Sequence, residues 1–236
     1  MQTFIDWNND LLSSMRIDLD SGADEAISAL TYMQTELQVS RYCMMPILDA
    51  SKTPVSVFSL KQNAYKGCLS EKLPKGIDIR YSARVLLQPG LSEYEDLVTL
   101  TKETNGYLPI VLPIGEYRDW IDQELNRLLY RCKLKLLLTS CEQIPILYPN
   151  VIVEKLFRIP DAVFQFHYNS LTDIRIGRLI YNLASLNKTI LFGTAVNSLA
   201  KAYRLDLPYC YDAASAHFSK GELHHLFYVG RKFWNN

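Results

Sequence analysis

Residues 3–12 read TFIDWNNDLL, an apolar run followed by polar residues. The apolar and β-branched residues of its first half predict a strand, and the polar Asn8, Asn9 and Asp10 that follow predict a loop at its carboxyl end. Functional side chains of α/β barrels gather at the carboxyl ends of the strands. The stretch therefore predicts the first strand of such a barrel and places candidate site residues directly after it.

The composition excludes several classes of protein. The 236 residues include 25 basic and 25 acidic side chains, which removes the long-range attraction that nucleic-acid and anionic-membrane binders use. The five cysteines are odd in number and form no C-x-x-C pair, so reduced thiols in a cytoplasmic protein are expected. No apolar run has the length of a membrane span, and the first residues do not have the pattern of a signal peptide. The sequence gives no indication of an oligomeric state.

Short apolar runs alternate about seven times with segments of helical period, which predicts βα units around a parallel sheet. After the first strand, further strands are predicted at 41–47, 77–81, 107–113, 134–139, 162–167 and 189–193. Helices with one apolar face are predicted at 26–37, 116–132 and 174–183, and a further helix is predicted from about residue 150. Asp20 or Ser21 is the expected cap of the first helix. Seven such units predict a barrel one unit short of the eight-fold form, as a single domain over residues 1–236.

Motifs spread along almost the whole chain resemble those of one known family. Residues 5–10 (IDWNND) are similar to an Ile-Asp-x-His-x-His motif, and residues 19–22 (LDSG) to Asp-Asp-Gly. Residues 44–47 (MMPI) resemble Ala-Thr-Pro-His, residues 76–78 (GID) resemble Gly-Ala-Glu, and residues 226–232 resemble a closing Leu-Phe…Pro-Arg-Lys segment. The chain thus resembles the polymerase and histidinol phosphatase (PHP) superfamily, and within it the bacterial manganese-dependent protein-tyrosine phosphatases of capsule and exopolysaccharide operons.

The resemblance implies a distorted (β/α)7, TIM-like barrel of PHP type that holds manganese or other divalent metals at its mouth. The positions of this chain that correspond to the family site are Asp6, Asn8, Asp10, Ile47, Asp78, Thr139, Thr194 and Val196. Asp6 keeps the strand-end aspartate of the family, but only Asp10 and Asp78 among the metal-binding positions keep a carboxylate. An amide oxygen is a weak donor to a transition metal, and an aliphatic side chain is none. The substitutions therefore predict that no metal or other cofactor is bound and that no residue is catalytic.

Two functions follow from this resemblance. The first is a catalytically degenerate phosphatase homologue that serves as a binding or regulatory module, with a protein partner in a polysaccharide-export or tyrosine-kinase system. The alternative is an enzyme with residual or altered metal-dependent phosphoester hydrolysis. Its site would use Asp10, Asp78, His167 and Asn169, of which His167 ends a predicted strand.

The remaining reactive side chains do not form a recognisable site in the sequence. His224 and His225 are adjacent and point about 100° apart on a helix, which gives no chelating face. Ser140 and Cys141 have no histidine in a suitable pattern and lack a Cys-x5-Arg loop. Covalent catalysis is therefore not expected.

Overall fold

The computed structural model describes residues 4–12 and 19–235, and for residues 19–21 it describes the backbone alone. Thr3 lies outside the described residues. The described chain is a mixed α/β fold in which every strand pair is parallel. A search of the described helices finds none with the length and apolar character of a membrane span.

The described strands and helices follow the alternation that the sequence predicts. The strands are β1 (Phe4–Asn9), β2 (Val39–Met44), β3 (Ile47–Leu48), β4 (Asp78–Tyr81), β5 (Arg84–Leu86), β6 (Tyr107–Val111), β7 (Lys135–Leu138), β8 (Val163–His167) and β9 (Thr189–Gly193). The α-helices are α1 (Leu19–Thr35), α2 (Val55–Ser70), α3 (Asp119–Asn126), α4 (Ile144–Leu147), α5 (Asn150–Phe157), α6 (Ile174–Ser185), α7 (Leu199–Tyr203), α8 (Leu207–Ala214) and α9 (Lys220–Asn235). Short 3-10 helices and one π-helical turn (Arg127–Arg131) complete these elements.

The nine described strands correspond to seven strand positions. β2 and β3 are two segments of one interrupted strand, and β4 and β5 are two segments of another. The break between β2 and β3 falls at Pro46, which has no N–H to donate. The two interrupted positions stay in line, since the Ser82 N–H donates to the Met44 carbonyl and the Arg84 N–H to the Pro46 carbonyl, both at 3.0 Å. The strand orders β1-β2-β4 and β3-β5-β6-β7-β8-β9 therefore follow the chain order.

The first and last strand positions meet at their carboxyl ends. The Ala195 N–H donates to the Asn8 carbonyl at 2.8 Å, and the Asp10 N–H donates to the Val196 carbonyl at 2.8 Å. A Cβ atom placed on Gly193 would lie 2.4 Å from the Asn8 Cβ. Only glycine permits this approach, although the described residues contain no strand ladder between β1 and β9.

A compact apolar cluster fills the space between the strands and α9. Its members come from β1, β2, β7, β8, β9, α9 and the residue after β2: Ile5, Trp7, Cys43, Met45, Leu137, Val163, Leu191, Phe233 and Trp234. Side chains two residues apart face the same side of a strand, which is why Ile5 and Trp7 share this cluster while Phe4 packs in the larger one. Trp7 makes edge contacts with Phe233 and Trp234 at 5.1 Å between ring centroids. Helix α9 thus closes the cluster with its last turn.

Helix α6 shows why the periodic segments fold as helices. Asp173 caps its first turn by accepting from the Arg175 N–H at 2.8 Å and the Ile176 N–H at 3.4 Å. Ile176, Ile180 and Leu183 are buried at spacings of four and three residues, which puts them on one face toward the sheet. The Asp173 cap therefore fixes where α6 begins, and the apolar stripe fixes which of its faces is buried.

Several predicted boundaries are wrong, for identifiable reasons. The described backbone of helix α1 already includes Asp20 and Ser21, whereas the sequence predicted one of them just before the first turn. The predicted strand 41–47 is divided by Pro46 into β2 and β3, and β5 was not predicted. The predicted helix 116–132 begins at Asp119 and turns π-helical from Arg127. Helix α8 has Asp206 as its cap and a proline in its first turn, and was missed altogether.

Glu124 of α3 is a charged side chain that the structure buries. Its carboxylate accepts from the Ser92 N–H at 2.5 Å and the Gly90 N–H at 3.3 Å, and it pairs with Arg127 at 3.2 Å. Burial raises the pKa of this carboxyl, but these hydrogen bonds outweigh burial and hold the pKa below its ordinary value. The side chain anchors the 3-10 turn at Leu91–Glu93.

Candidate functional site

The candidate site lies at the carboxyl ends of the strands, where β1, β5, β8 and the residues after β7 and β9 approach each other. It contains three connected parts: a buried carboxyl at Asp6, a polar chain through Asn8 and His167, and an ion pair between Asp10 and Arg84. Ser140 and Ala195, which follow β7 and β9, both have left-handed backbone with φ of 55° and 53°. Such conformations are uncommon outside glycine and turn the chain sharply at the strand ends.

Asp6 is completely buried and binds the end of β1 to the end of β9. Its carboxyl accepts from the Thr194 N–H at 2.8 Å and the Thr194 hydroxyl at 2.5 Å. It also accepts from the Asn8 N–H at 3.1 Å and the Asn9 side-chain amide at 2.9 Å. Burial raises the pKa of Asp6, and the four hydrogen bonds act against that rise. This aspartate therefore organises the backbone of the site.

Asn8 is buried and joins two residues of β8. Its side-chain nitrogen donates to Gln165 Oε1 at 3.0 Å and lies 3.0 Å from His167 Nε2. Gln165 is fixed by the backbone, because its Oε1 accepts from the Ser140 N–H at 3.0 Å and its nitrogen donates to the Phe166 carbonyl at 2.6 Å. This anchoring sets the orientation of the Asn8 amide and directs its –NH2 group at the imidazole.

The tautomer of a neutral His167 ring follows from that chain of contacts. An amide –NH2 can only donate, so Nε2 of His167 must accept and the ring proton must sit on Nδ1. Nδ1 lies 2.7 Å from Glu142 Oε1, and the His167 N–H donates to Glu142 Oε2 at 3.2 Å. Each ring nitrogen of His167 therefore lies within 3.0 Å of a polar side-chain atom, Nε2 near the Asn8 amide and Nδ1 near the Glu142 carboxylate.

Arg84 is 6% exposed and reaches across the strand ends to Asp10. Its Nε donates to the Met45 carbonyl at 2.6 Å, and its Nη2 lies 3.2 Å from Asp10 Oδ2. Burial lowers the pKa of the Arg84 guanidinium, while the charges of Asp10 and Asp6 favour the protonated form. The site thus contains a buried cation that pairs with the carboxylate of Asp10.

The structure brings only part of the predicted residual site together. Asp10 and His167 lie at the strand ends, but Asp78 opens β4 at the amino end, where its carboxyl accepts from the Trp234 indole N–H at 2.9 Å. Asn169 is exposed, and its Oδ1 accepts from the Cys210 thiol at 3.3 Å. Asp78 is therefore separated along its strand from Asp10 and His167, whereas Asn169 closely follows the carboxyl end of β8.

The other predicted family positions have structural roles. Thr139 is buried and donates its hydroxyl proton to the Ile110 carbonyl at 3.0 Å. Val196 is buried, and its N–H donates to the Thr194 hydroxyl at 3.2 Å. Ile47 is 44% exposed in β3, where it pairs with Arg84 in the neighbouring strand. Val196 and Ile47 thus lie next to Asp10 and Arg84, the two members of the ion pair.

Sequence reasoning missed Gln165, Arg84 and Glu142. Gln165 lies inside an apolar strand, and a polar residue at a buried strand position was the signal that could have revealed it. Arg84 follows the third predicted strand in the same way that Asp10 follows the first. Glu142 comes shortly after the strand end at Thr139. It lies near His167 because β7 and β8 are adjacent strands, and the register of their pairing is not visible in the sequence.

The residues present do not fit the metal cluster that the family resemblance implies. Among the described residues, no group of three or more His, Cys, Asp or Glu side chains could hold a metal ion. The lone pair of His167 Nε2 faces the Asn8 amide, and Asp10 faces the Arg84 guanidinium. A metal ligand must present a free lone pair or carboxylate oxygen, and these groups use theirs within the protein.

One solved structure resembles the whole chain. It belongs to a pair of metal-dependent tyrosine phosphatases, YwqE from Bacillus subtilis and CpsB from Streptococcus pneumoniae, and has a TM-score of 0.68. The match covers 99% of this chain and 95% of that chain at 13% sequence identity. The chain has the fold of these phosphatases. At this identity the phosphatase fold is shared, while the activity is not established by the likeness.

A second solved structure is much less similar to the chain. An adenine deaminase from Arthrobacter aurescens matches with a TM-score of 0.37 and 12% identity, over 97% of this chain and 86% of that chain. That score is too low to support a shared fold. No family model matches the sequence, and a search of curated proteins gives no match.

Proposed function

We propose that the chain is a catalytically degenerate homologue of the PHP-type phosphatases, which keeps the fold as a binding or regulatory module. The observation that carries the proposal is the contact between the Asn8 amide and His167 Nε2 at 3.0 Å. An imidazole whose accepting nitrogen is hydrogen-bonded inside the protein is not available to a metal or to a substrate proton. The proposal includes the absence of metal and other cofactors.

The proposal also includes a closed, distorted (β/α)7 barrel as a single domain over residues 1–236. Two observations support closure: the hydrogen bonds between the ends of β1 and β9, and the close approach of Gly193 to Asn8. The seven strand positions in chain order support the same arrangement. A barrel would place the Asp10–Arg84 pair at its mouth, where such folds carry their sites.

The proposed ligand is a protein that carries phosphotyrosine, in a cytoplasmic polysaccharide-export or tyrosine-kinase system. The likeness in fold to tyrosine phosphatases supports this class, together with the resemblance of several sequence motifs to those of capsule-operon phosphatases. A degenerate phosphatase site can retain recognition of its ligand after the chemistry is lost, because binding and transition-state stabilisation use different interactions.

The test compares hydrolysis with binding. Purified protein is analysed for transition metals by mass spectrometry and assayed for phosphotyrosine-peptide hydrolysis in manganese, and binding of the same peptide is measured by calorimetry against its unphosphorylated form. The proposal expects no stoichiometric metal, no turnover above the Asp10→Ala variant and preference for the phosphorylated peptide. Stoichiometric metal with turnover that Asp10→Ala abolishes would refute it.

One observation favours the alternative of residual or altered phosphoester hydrolysis. The Glu142–His167 contact at 2.7 Å is the arrangement in which a carboxylate orients a catalytic histidine. For this pair to act as a base, the Asn8 amide must rotate away from Nε2 when substrate binds. This alternative expects hydrolysis that His167→Ala abolishes and Asn8→Ala increases, whereas the favoured function expects neither variant to change a background rate.

A further inference from the structure

An apolar cavity, hereafter the surface cavity, opens between α6 and α9 at the amino end of β9. It has a volume of about 340 Å³, which lies in the range of small-molecule sites. Tyr181 and Phe218, whose ring centroids are 5.6 Å apart, provide aromatic walls, and Val229 provides an aliphatic one. The candidate site described above lies at the carboxyl ends of the strands, so the surface cavity is separate from it.

A second cavity, hereafter the deep cavity, continues the same crevice inward. Ile190 and Leu226 line both cavities. The deep cavity has a volume of about 10 Å³, which is the space of one water-sized group. Its lining includes Trp7, Gly230 and Arg231. All of its lining residues except the half-buried Arg231 are buried, whereas the surface cavity has exposed residues at its rim.

The deep cavity contains a hydrogen-bond donor that the described residues leave unsatisfied. The Trp7 indole nitrogen is buried and has no acceptor among them. A buried N–H without an acceptor is costly, and such groups are rare in folded proteins. Arg231 lines the same cavity, and the ion pairs of the described chain include no carboxylate partner for it. A donor and a cation thus converge on a space with apolar walls, an arrangement that suits a carboxylate.

Gly230 keeps the deep cavity open. A Cβ atom placed on this residue would lie 3.7 Å from Trp7 Nε1 and 3.9 Å from Leu191 Cδ2. These are ordinary contact distances, so the surrounding packing would accept alanine. Glycine inside a helix is less favourable than alanine, yet alanine would place a methyl group beside the indole nitrogen, in the space that an acceptor needs. The glycine therefore lowers helix stability and preserves room next to the unsatisfied donor.

We propose that this crevice binds a small apolar carboxylic acid in its ionised form. One carboxylate oxygen lies in the deep cavity, where it accepts from the Trp7 N–H and faces the Arg231 guanidinium. The hydrocarbon part passes between Ile190 and Leu226 into the surface cavity. The ligand gains hydrophobic burial from the outer walls and a charge-assisted hydrogen bond at its buried end. The inference is independent of the proposed function, because no residue that lines the two cavities belongs to the candidate site.

The experiment titrates the full chain with octanoate and follows its three indole N–H resonances by proton–nitrogen correlation NMR. We expect a saturable shift of the Trp7 resonance, while the resonance of Trp120 in α3 stays in place. Octanol, which has the same chain without the charge, should bind about tenfold more weakly, because a hydrogen bond to a charged group is stronger than one to a neutral group. Acetate, which has the charge without the chain, should give no saturable shift.

Two outcomes of these titrations would overturn the proposal. The first is a Trp7 resonance that octanoate leaves unmoved, as expected if the deep cavity takes a single water molecule only. The second is an equal affinity for octanoate and octanol, which would show that no cation contributes at the buried end.

Variants on α9 locate the site. Arg231→Met should weaken octanoate binding about tenfold and leave octanol binding unchanged, whereas Lys232→Met, which removes the exposed neighbouring cation, should change neither. Gly230→Ala should weaken octanoate binding by about tenfold or more without loss of thermal stability, because its methyl group fills the deep cavity. Gly67→Ala, at an open position of α2, is the matched control and should bind octanoate as the wild type does. A folded Gly230→Ala protein with wild-type affinity would overturn the proposal, and if this variant does not fold, the Arg231→Met comparison decides.

Discussion

Replacing Gly193 by alanine tests the contact between the first and last strand positions most directly. The added Cβ would lie 2.4 Å from the Asn8 Cβ and 2.5 Å from the Asn8 backbone nitrogen. Gly193 does not have a positive φ, so the cost is steric and is not a cost of backbone conformation. Ordinary Cβ contacts begin at 3.4 Å. The ends of β1 and β9 must therefore separate by about 1 Å, and overpacking of this kind costs roughly 1–3 kcal/mol.

The separation also stretches the hydrogen bond from the Ala195 N–H to the Asn8 carbonyl, now 2.8 Å. A buried polar group that loses its partner costs about 1–3 kcal/mol more. We therefore expect Gly193→Ala to lower the free energy of unfolding by about 3–5 kcal/mol, measured by urea denaturation followed by circular dichroism. Gly67→Ala is the control, since no atom lies within 4 Å of its new Cβ and alanine stabilises an exposed helix position by about 0.5–1 kcal/mol. A Gly193→Ala protein within 1 kcal/mol of the wild type would contradict the strand contact.

Three further predictions concern stability and reactivity. Glu124→Gln should lower the free energy of unfolding by about 2 kcal/mol at pH 7. Because the pKa of Glu124 is lowered in the folded protein, the extra stability of the wild type is present above the ordinary glutamate pKa and is lost as the pH falls through the folded pKa. Urea denaturation should therefore show a larger difference between wild type and variant at pH 7 than at pH 3. Trp234→Ala should cost about 3–5 kcal/mol, because it empties the inner apolar cluster, and unchanged urea curves would contradict that role. Burial raises the pKa of Cys43 and Cys141. Iodoacetamide at pH 8 should therefore label the partly exposed Cys68 and Cys132 before these two buried thiols, as read by peptide mass spectrometry, and equal labelling of all four in the native protein would argue against it.

Strand positions could be predicted because apolar runs between turn residues are a local signal. The last four strand positions agree with the structure to within about two residues, since each run is short and bounded by polar or turn residues. The π-helical turn after α3 and the division of one strand at Pro46 could not be placed in the same way. They depend on how neighbouring strands and helices pack, which the local sequence does not contain.

The candidate site was predictable in location but only partly in membership. Asn8, Asp10 and His167 follow predicted strands, and the structure brings them to the same end of the sheet. Gln165 and Asn8 are 157 residues apart, so their contact requires the register of several strands. Asp78 matched a motif in sequence, yet a ligand position depends on the level along the strand, and Asp78 lies at the amino end. Motif similarity thus identifies the strand on which a residue lies but not its position along that strand.

The attachment of α9 has a consequence for the order in which the protein can fold during synthesis. The inner apolar cluster joins Ile5 and Trp7 to Phe233 and Trp234, more than two hundred residues later. Arg80 stacks on the Trp234 ring at 4.5 Å, and Asn105 donates to the Phe233 carbonyl. A chain emerging from the ribosome therefore carries this apolar surface open until α9 arrives, a period in which chaperone binding or aggregation competes with completion of the core.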